Sequence, residues 1–173
     1  MVTCAKPLRL RAAAILAALG LLACSHELDW REIRSAEGGF TALVPGKPRY
    51  ETRTLSGGAV TMHLWSVQAG NSLFGVGYAD YPAADAGILD ATRNALVANI
   101  QGNLIRESPL LRNGLAGRAL VAEAGDTVLR AQLLISGKRL YQLAVLGPRN
   151  ALSPADVDLF FFSFSPQNTA PRD

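Results

Sequence analysis

Apolar and polar positions alternate along much of this chain from residue 39 onward, and the breaks in that alternation divide it into short elements. In FTALVPG, Phe40, Ala42 and Val44 alternate with Thr41 and Leu43 until Pro45-Gly46 interrupts them. RYETRTLSGG alternates as far as Gly57-Gly58. VTMHLWSVQAGNSLFGVGYADYP reads as two strands joined at Ala69-Gly70-Asn71-Ser72, a hairpin by its turn residues. The period then changes. From Asp85 to Leu104, the residues Ile88, Leu89, Thr92, Ala95, Leu96, Asn99, Ile100 and Leu104 recur every three or four positions, which predicts an amphipathic helix with Asp85 as N-cap.

Strand texture returns in LIRESPLLRNG, LAGRALVAEAG, TVLRAQLLISG and RLYQLAVLGP, with tight turns expected at Gly125-Asp126 and Gly137-Lys138. Ser153-Pro154-Ala155-Asp156 then has the composition of a helix start: a capping serine, a first-turn proline and an early acid. Val157, Phe160, Phe161 and Phe164 fall on the side of that helix expected to be buried. Runs of hairpin strands, with the helices kept apart from them, predict an α+β fold: a single domain in which an antiparallel sheet is flanked by one long and one short helix. The segments GGFTALVPGKP and RLYQLAVLGPRNALSPADVDLFFFSF resemble the opening strand and the closing strand and helix of small bacterial proteins with the fold shared by Mog1 and the photosystem II protein PsbP. That resemblance implies an assembly or binding role and carries over no catalytic residue.

The first residues follow a different pattern. Lys6, Arg9 and Arg11 precede an uncharged run from Ala12 to Leu22. The run is shorter than the roughly 20 residues of a membrane-crossing helix but within the roughly 7–15 of a signal-peptide core. It ends in Leu21-Leu22-Ala23-Cys24, which resembles the lipobox of bacterial lipoproteins. By that resemblance residues 1–23 are a signal peptide, and Cys24 becomes an N-terminus carrying a diacylglycerol on its thiol. Ser25 after the cysteine implies sorting to the outer membrane, facing the periplasm. The expected organisation is then a lipidated linker over 24–38, the α+β domain over 39–165 and a disordered tail over 166–173.

Charge and cysteine content change meaning once the signal is set aside. The chain has 17 Lys plus Arg against 14 Asp plus Glu, and the surplus is Lys6, Arg9 and Arg11, so the segment from Cys24 onward balances to zero. The basic isoelectric point therefore gives no support for a nucleic-acid partner. Of the two cysteines, Cys4 leaves with the signal and Cys24 is the acylation site, so no disulfide is expected and stability rests on an apolar core.

Catalytic patterns are thin. His26 and His63, without a free cysteine, make a poor transition-metal set, and His63 alternates with Met62 and Leu64 as a sheet-face residue would. No G-x-S-x-G elbow occurs. Gly75-Val76-Gly77 lies within a strand and lacks the third glycine of a dinucleotide loop, while PGKPRY and SGKRLY lack the flanking residues of a phosphate loop. Asp80, Asp85 and Asp90 around the long helix, and Asp156 and Asp158 on the short one, read as caps or solvated positions. No catalytic residue, metal ligand or cofactor is expected. Two features suit binding: LFFFSF either closes the core with all four phenylalanines or leaves Phe162 outside as a contact patch, and Trp65, Tyr78 and Tyr81 either line a groove beside the sheet or belong to its core and rim. The sequence thus reads as a lipid-anchored envelope protein that binds another envelope protein or a small ligand, the alternative being an envelope enzyme, such as a hydrolase, with an unrecognised site.

Overall fold

A computed structural model describes residues 28–55, 58–151 and 153–167. Cys24 and the residues before it that resemble a lipobox, His26 and residues 168–173 lie outside the described residues. The described chain runs β1 (Arg31–Ser35), β2 (Phe40–Val44), β3 (Arg49–Thr54), β4 (Thr61–Ala69), β5 (Ser72–Asp80), α1 (Ala86–Asn99), β6 (Asn103–Arg112), β7 (Leu115–Ala124), β8 (Thr127–Ser136), β9 (Arg139–Pro148), α2 (Pro154–Ser163) and β10 (Ser165–Pro166). Every strand pairing is antiparallel. The α+β class and the two flanking helices are as the sequence predicts.

The strands form two sheets: β1-β2-β10, and a seven-stranded sheet in the order β3-β4-β5-β9-β8-β7-β6. After the β3-β4-β5 meander the chain crosses to the far edge through α1 and returns by three hairpins, so that β9 zips against β5 from Leu73↔Leu146 to Asp80↔Arg139. Side chains alternate between the two faces of these central strands. Phe74, Val76 and Tyr78 of β5 and Tyr141, Leu143 and Val145 of β9 join the core shared with β2 and α2. Leu140 of β9, with Leu129, Ala131 and Leu133 of β8, instead packs under α1. The large sheet is therefore the middle layer, with α1 on one face and α2 plus the small sheet on the other.

Phe40 joins the small sheet to the large one. Fully buried, its ring meets Trp65 at 5.5 Å, Tyr141 at 6.0 Å and Phe164 at 5.7 Å between centroids. The preceding glycines make room for it: a Cβ on Gly38 would lie 2.8 Å from both the Phe40 and Tyr78 rings, and Gly39 turns the chain with φ +61°. The Tyr141 hydroxyl donates to the Gly38 carbonyl at 2.8 Å, pinning that turn to β9. Ser163 Oγ accepts from Leu43 N and donates to the Phe160 carbonyl, both at 2.8 Å, which fixes the end of α2 to β2.

Both helices start where the sequence indicates. Asp85 caps α1 by accepting from Gly87 N at 2.9 Å and Ile88 N at 3.2 Å, and the Ser153 hydroxyl accepts from Asp156 N ahead of Pro154 in α2. The end of α1 differs from the expected Leu104. Gln101 takes a left-handed conformation (φ 52°), its N–H bonds to the Ala98 carbonyl, and Gly102 N–H bonds to that of Val97. This is a Schellman stop, with Gln where Gly is usual, so the helix closes at Asn99 and Leu104 enters β6. Two boundaries also move outward. Arg31–Ser35, within the stretch read as linker, pairs with β2 along its length, and Ser165–Pro166, which straddles the expected start of the tail, pairs with Thr41 and Phe40. Segments this short are held by their partner strand, and their own pattern does not announce them. Among the described residues no helix is long and apolar enough to cross a membrane.

The phenylalanine cluster divides. Phe160, Phe161 and Phe164 are buried, whereas Phe162 is 73% exposed with the Arg112 guanidinium 4.9 Å from its ring centroid. Phe160→Ala is expected to lower unfolding stability by about 3–5 kcal/mol, and Phe162→Ala by less than about 1 kcal/mol. Urea denaturation of both variants checks the contrast, and equal losses would contradict the assigned faces of α2.

Tyr78 yields a second prediction. Its ring is buried, stacked on His63 at 4.6 Å and 1° and approached by the Arg139 guanidinium at 4.5 Å, while its hydroxyl has no hydrogen-bond partner among the described residues. Burial, with Glu37 adding to it, pushes the phenol up to about 12 from its ordinary 10.0. A phenol whose folded-state value is raised stabilises the fold while it stays neutral, and that stability is lost as pH climbs from about 10 through about 12. Tyr78→Phe should remove part of this alkaline loss and, by deleting an unpartnered hydroxyl, should not weaken the fold at neutral pH. Unfolding curves across that range test it; an unchanged alkaline profile would count against the buried phenol.

Candidate functional site

The position of α1 is set by charge on one side and left open on the other. Asp90 and Arg93 of the helix interlock with Glu107 of β6 and Arg118 of β7: Arg93–Glu107 at 2.8 Å, Arg118–Glu107 at 2.9 Å, Arg118–Asp90 at 2.6 Å and Arg93–Asp90 at 3.1 Å. Hydrogen bonding from Arg118, reinforced by Arg93, holds the Glu107 carboxyl below the usual carboxylate range. Each pair is partly exposed and individually weak, but the four groups act as a network that draws the helix towards the β6 edge. Leu89, the buried residue of the helix, packs on the same side with Leu120 and Ala122 of β7 and Leu129 of β8.

On the opposite side the helix stands away from β3 and β4, and a cleft of about 300 Å³ opens between them. Its helical wall is Ile88, Ala91, Thr92, Ala95, Leu96 and Asn99. Facing it are Met62 and Leu64 of β4, Leu55 and Val60 from the β3–β4 connection, Tyr81 after β5, and Gln142 of β9. Ala91, Thr92 and Ala95 are too short to reach the sheet, which is why the space exists. Arg53 reaches the rim while its Nε donates to Glu51 at 2.9 Å. The lining is thus mostly apolar, with one guanidinium, one hydroxyl, one phenol and two amides among it. Burial raises the Tyr81 phenol, and hydrogen bonding with Thr92 opposes that rise, so Tyr81 presents a neutral hydroxyl at physiological pH. A space of this size and character holds a small apolar body and orients one polar end. Its lining contains neither a carboxylate nor a histidine to move a proton.

The aromatic residues proposed from sequence do not converge. Tyr81 lines the cleft. Tyr78 points to the other face of the sheet, because positions along β5 alternate, and its burial removes it from any contact surface. Trp65 shares that face, half-buried against Phe40 and 4.7 Å from the Tyr50 ring. Phe162 is exposed on α2, in the layer across the sheet from the cleft. Of the two places the sequence leaves open for them, Tyr81 takes a position at a cleft and Trp65 and Tyr78 belong to core and rim, while the helical wall of that cleft includes the small residues of α1 at 91, 92 and 95.

The other residues singled out from sequence have structural places. His63 Nδ1 lies 2.7 Å from the Tyr50 hydroxyl on the β4 surface. Gly77 allows close strand contact: a Cβ there would lie 2.4 Å from the His63 carbonyl oxygen. Asp80 takes a bidentate grip from Arg139 at 2.6 and 2.7 Å, which holds its carboxyl below the ordinary range. Among the described residues no group of three or more His, Cys, Asp or Glu side chains is placed to hold a metal ion.

No family model and no curated protein matches this chain. Its structure does have relatives. The solution structure of cyanobacterial PsbP (CyanoP) from Synechocystis sp. PCC 6803 matches with a TM-score of 0.55 at 12% identity, covering 86% of this chain and 98% of that one. PA94 of Pseudomonas aeruginosa, a protein of unknown function described as a putative regulator, matches with a TM-score of 0.38 at 16% identity, covering 74% and 85% of the two chains. At such identities the first match speaks for the fold, and the second is too loose to carry an argument. The single domain, with antiparallel sheets flanked by two helices, has the Mog1/PsbP-like fold.

Proposed function

We propose that this protein is a non-catalytic binding module held at a membrane surface by an acylated Cys24, and that it takes a small amphipathic ligand in the cleft beneath α1. The cleft carries the reading: its lining is mostly apolar with a few polar groups, and none of its lining residues is a carboxylate or a histidine. An apolar ligand portion would lie between Leu64 and the Ala91/Ala95 side of the helix, with its polar end towards Arg53, Tyr81 or Asn99. The lipobox supports the membrane tether. Seven residue steps separate Cys24 from Arg31, where β1 begins, and a chain of that length spans at most about 25 Å. An acylated Cys24 would therefore keep the domain close to the bilayer and raise the effective concentration of lipid-derived or envelope ligands around it.

Two experiments address the two parts of this reading. Ala95→Trp should fill the cleft, abolishing binding of an apolar fluorescent probe such as anilinonaphthalene sulfonate while leaving the thermal transition in place; undiminished probe binding would move the site elsewhere. Mass spectrometry of the N-terminal peptide from the native host should find acyl chains on Cys24, and Cys24→Ser should abolish acylation. An unmodified Cys24 would remove the tether and leave the cleft as the whole of the proposal.

A further inference from the structure

The face of the large sheet opposite α1 carries a second, chemically different groove. α2 covers β5 and β9 and is bonded at its end by Arg112 and Asn113 of the β6-β7 hairpin, but between these contacts a stretch of the β6-β7-β8 face stays open, bordered by Val157 and Asp158, and there Arg106, Val121 and Arg130 stand side by side in register across three strands. The two arginines therefore flank one valine on the same face, their backbones about 10 Å apart. Both line an open space of about 420 Å³ that continues into a neighbouring one of about 440 Å³.

Most other arginines among the described residues are matched to carboxylates, as Arg139 is to Asp80 and Arg149 to Glu123, while Arg49 enters no ion pair and Arg112 bonds a backbone carbonyl. Arg106 and Arg130 make no ion pair or side-chain hydrogen bond among the described residues. Two acids do reach these spaces. Glu123 is held by Arg149, at 2.9 and 2.7 Å, and Asp158 projects from α2 without entering an ion pair among the described residues. Two residues beyond Arg130 on the same face, Gln132 lines the second space with its amide oxygen buried and unpartnered.

We propose that this groove binds a phosphate-bearing ligand, gripped between the guanidinium groups of Arg106 and Arg130. A carboxylate satisfies one guanidinium fork, whereas a phosphate presents oxygens in several directions and accepts from two forks on opposite sides. The Gln132 acceptor, buried beside the groove and unpartnered, would be satisfied by a hydroxyl next to the phosphate that reached it, so a phosphorylated polyol suits the site better than phosphate alone. The chemistry is common to a soluble phosphate ester and to a phospholipid headgroup. This site lies across the sheet from the α1 cleft and does not rest on that reading.

The test is a titration of the full chain in neutral detergent micelles with glycerol 3-phosphate and with inorganic phosphate, followed through the arginine Nε–H signals by NMR. The Arg106 and Arg130 signals should shift saturably, more tightly with glycerol 3-phosphate, and Arg106→Gln and Arg130→Gln should each weaken binding by about tenfold or more. Arg130→Lys, which keeps the charge and loses the fork, should fall in between. Arg49→Gln and Ala95→Trp should leave the titration unchanged, so that failure of the α1 cleft reading remains distinguishable from failure here. Doping the micelles with phosphatidylglycerol separates the sources: shifts of the same signals at lower concentration than with the free ester indicate a headgroup, and the reverse order indicates a soluble ester. Absence of saturable shifts with all three probes, or binding that survives both glutamine variants in folded protein, would overturn the proposal.

Discussion

The seating of Phe40 is the contact on which the layered arrangement depends. The small sheet has only three short strands and could not persist alone, since a few residues of backbone pairing do not offset the entropy of ordering them. Its stability comes from inserting one aromatic ring among Trp65, Tyr78, Tyr141 and Phe164, which belong to the large sheet and to the chain after α2. The edge-on and tilted ring geometries suit aromatic quadrupoles and exclude water from the junction. Gly38 leaves the volume the rings occupy, and the Tyr141 hydroxyl locks the turn. The end of α2 is fixed to the same strand through Ser163, so one junction orders β1, β2, β10 and α2 together.

With one face closed by that junction, the two open surfaces follow from how charges are distributed. The balanced composition hides a segregated pattern. Asp90 and Glu107 are both committed to Arg93 and Arg118, which pulls α1 to one side of its face and opens the cleft on the other. Across the sheet, Arg106 and Arg130 lack such partners. An apolar cleft and a cationic groove on opposite faces of one thin layer would suit ligands of different chemistry, and neither is visible in net charge.

Much of the framework was legible in the sequence because alternation, turn residues and helix caps act locally. Asp85 and Ser153 mark the helix starts through hydrogen bonds to residues two or three positions away, and glycine turns mark the hairpins. The end of α1 was misread because Ile100 and Leu104 continue the helical period past a stop made by Gln101, a residue that seldom takes a left-handed conformation. The aromatic set stayed undivided for a related reason: Trp65, Tyr78, Tyr81 and Phe162 are alike in composition, and burial and orientation, which the local pattern does not carry, place them in different layers.

What the sequence by itself determined was the alternation of strands and helices, the α+β class and the buried side of α2. These are properties of residues near one another along the chain, where period and capping are set by backbone geometry. Only the tertiary structure decided that two sheets form, that Tyr78 is buried, that α1 leaves a cleft beside β4, and that Arg106 and Arg130 flank Val121. Those outcomes depend on which distant strands pair and in what register, since a shift of one residue would send every side chain of a strand to the opposite face.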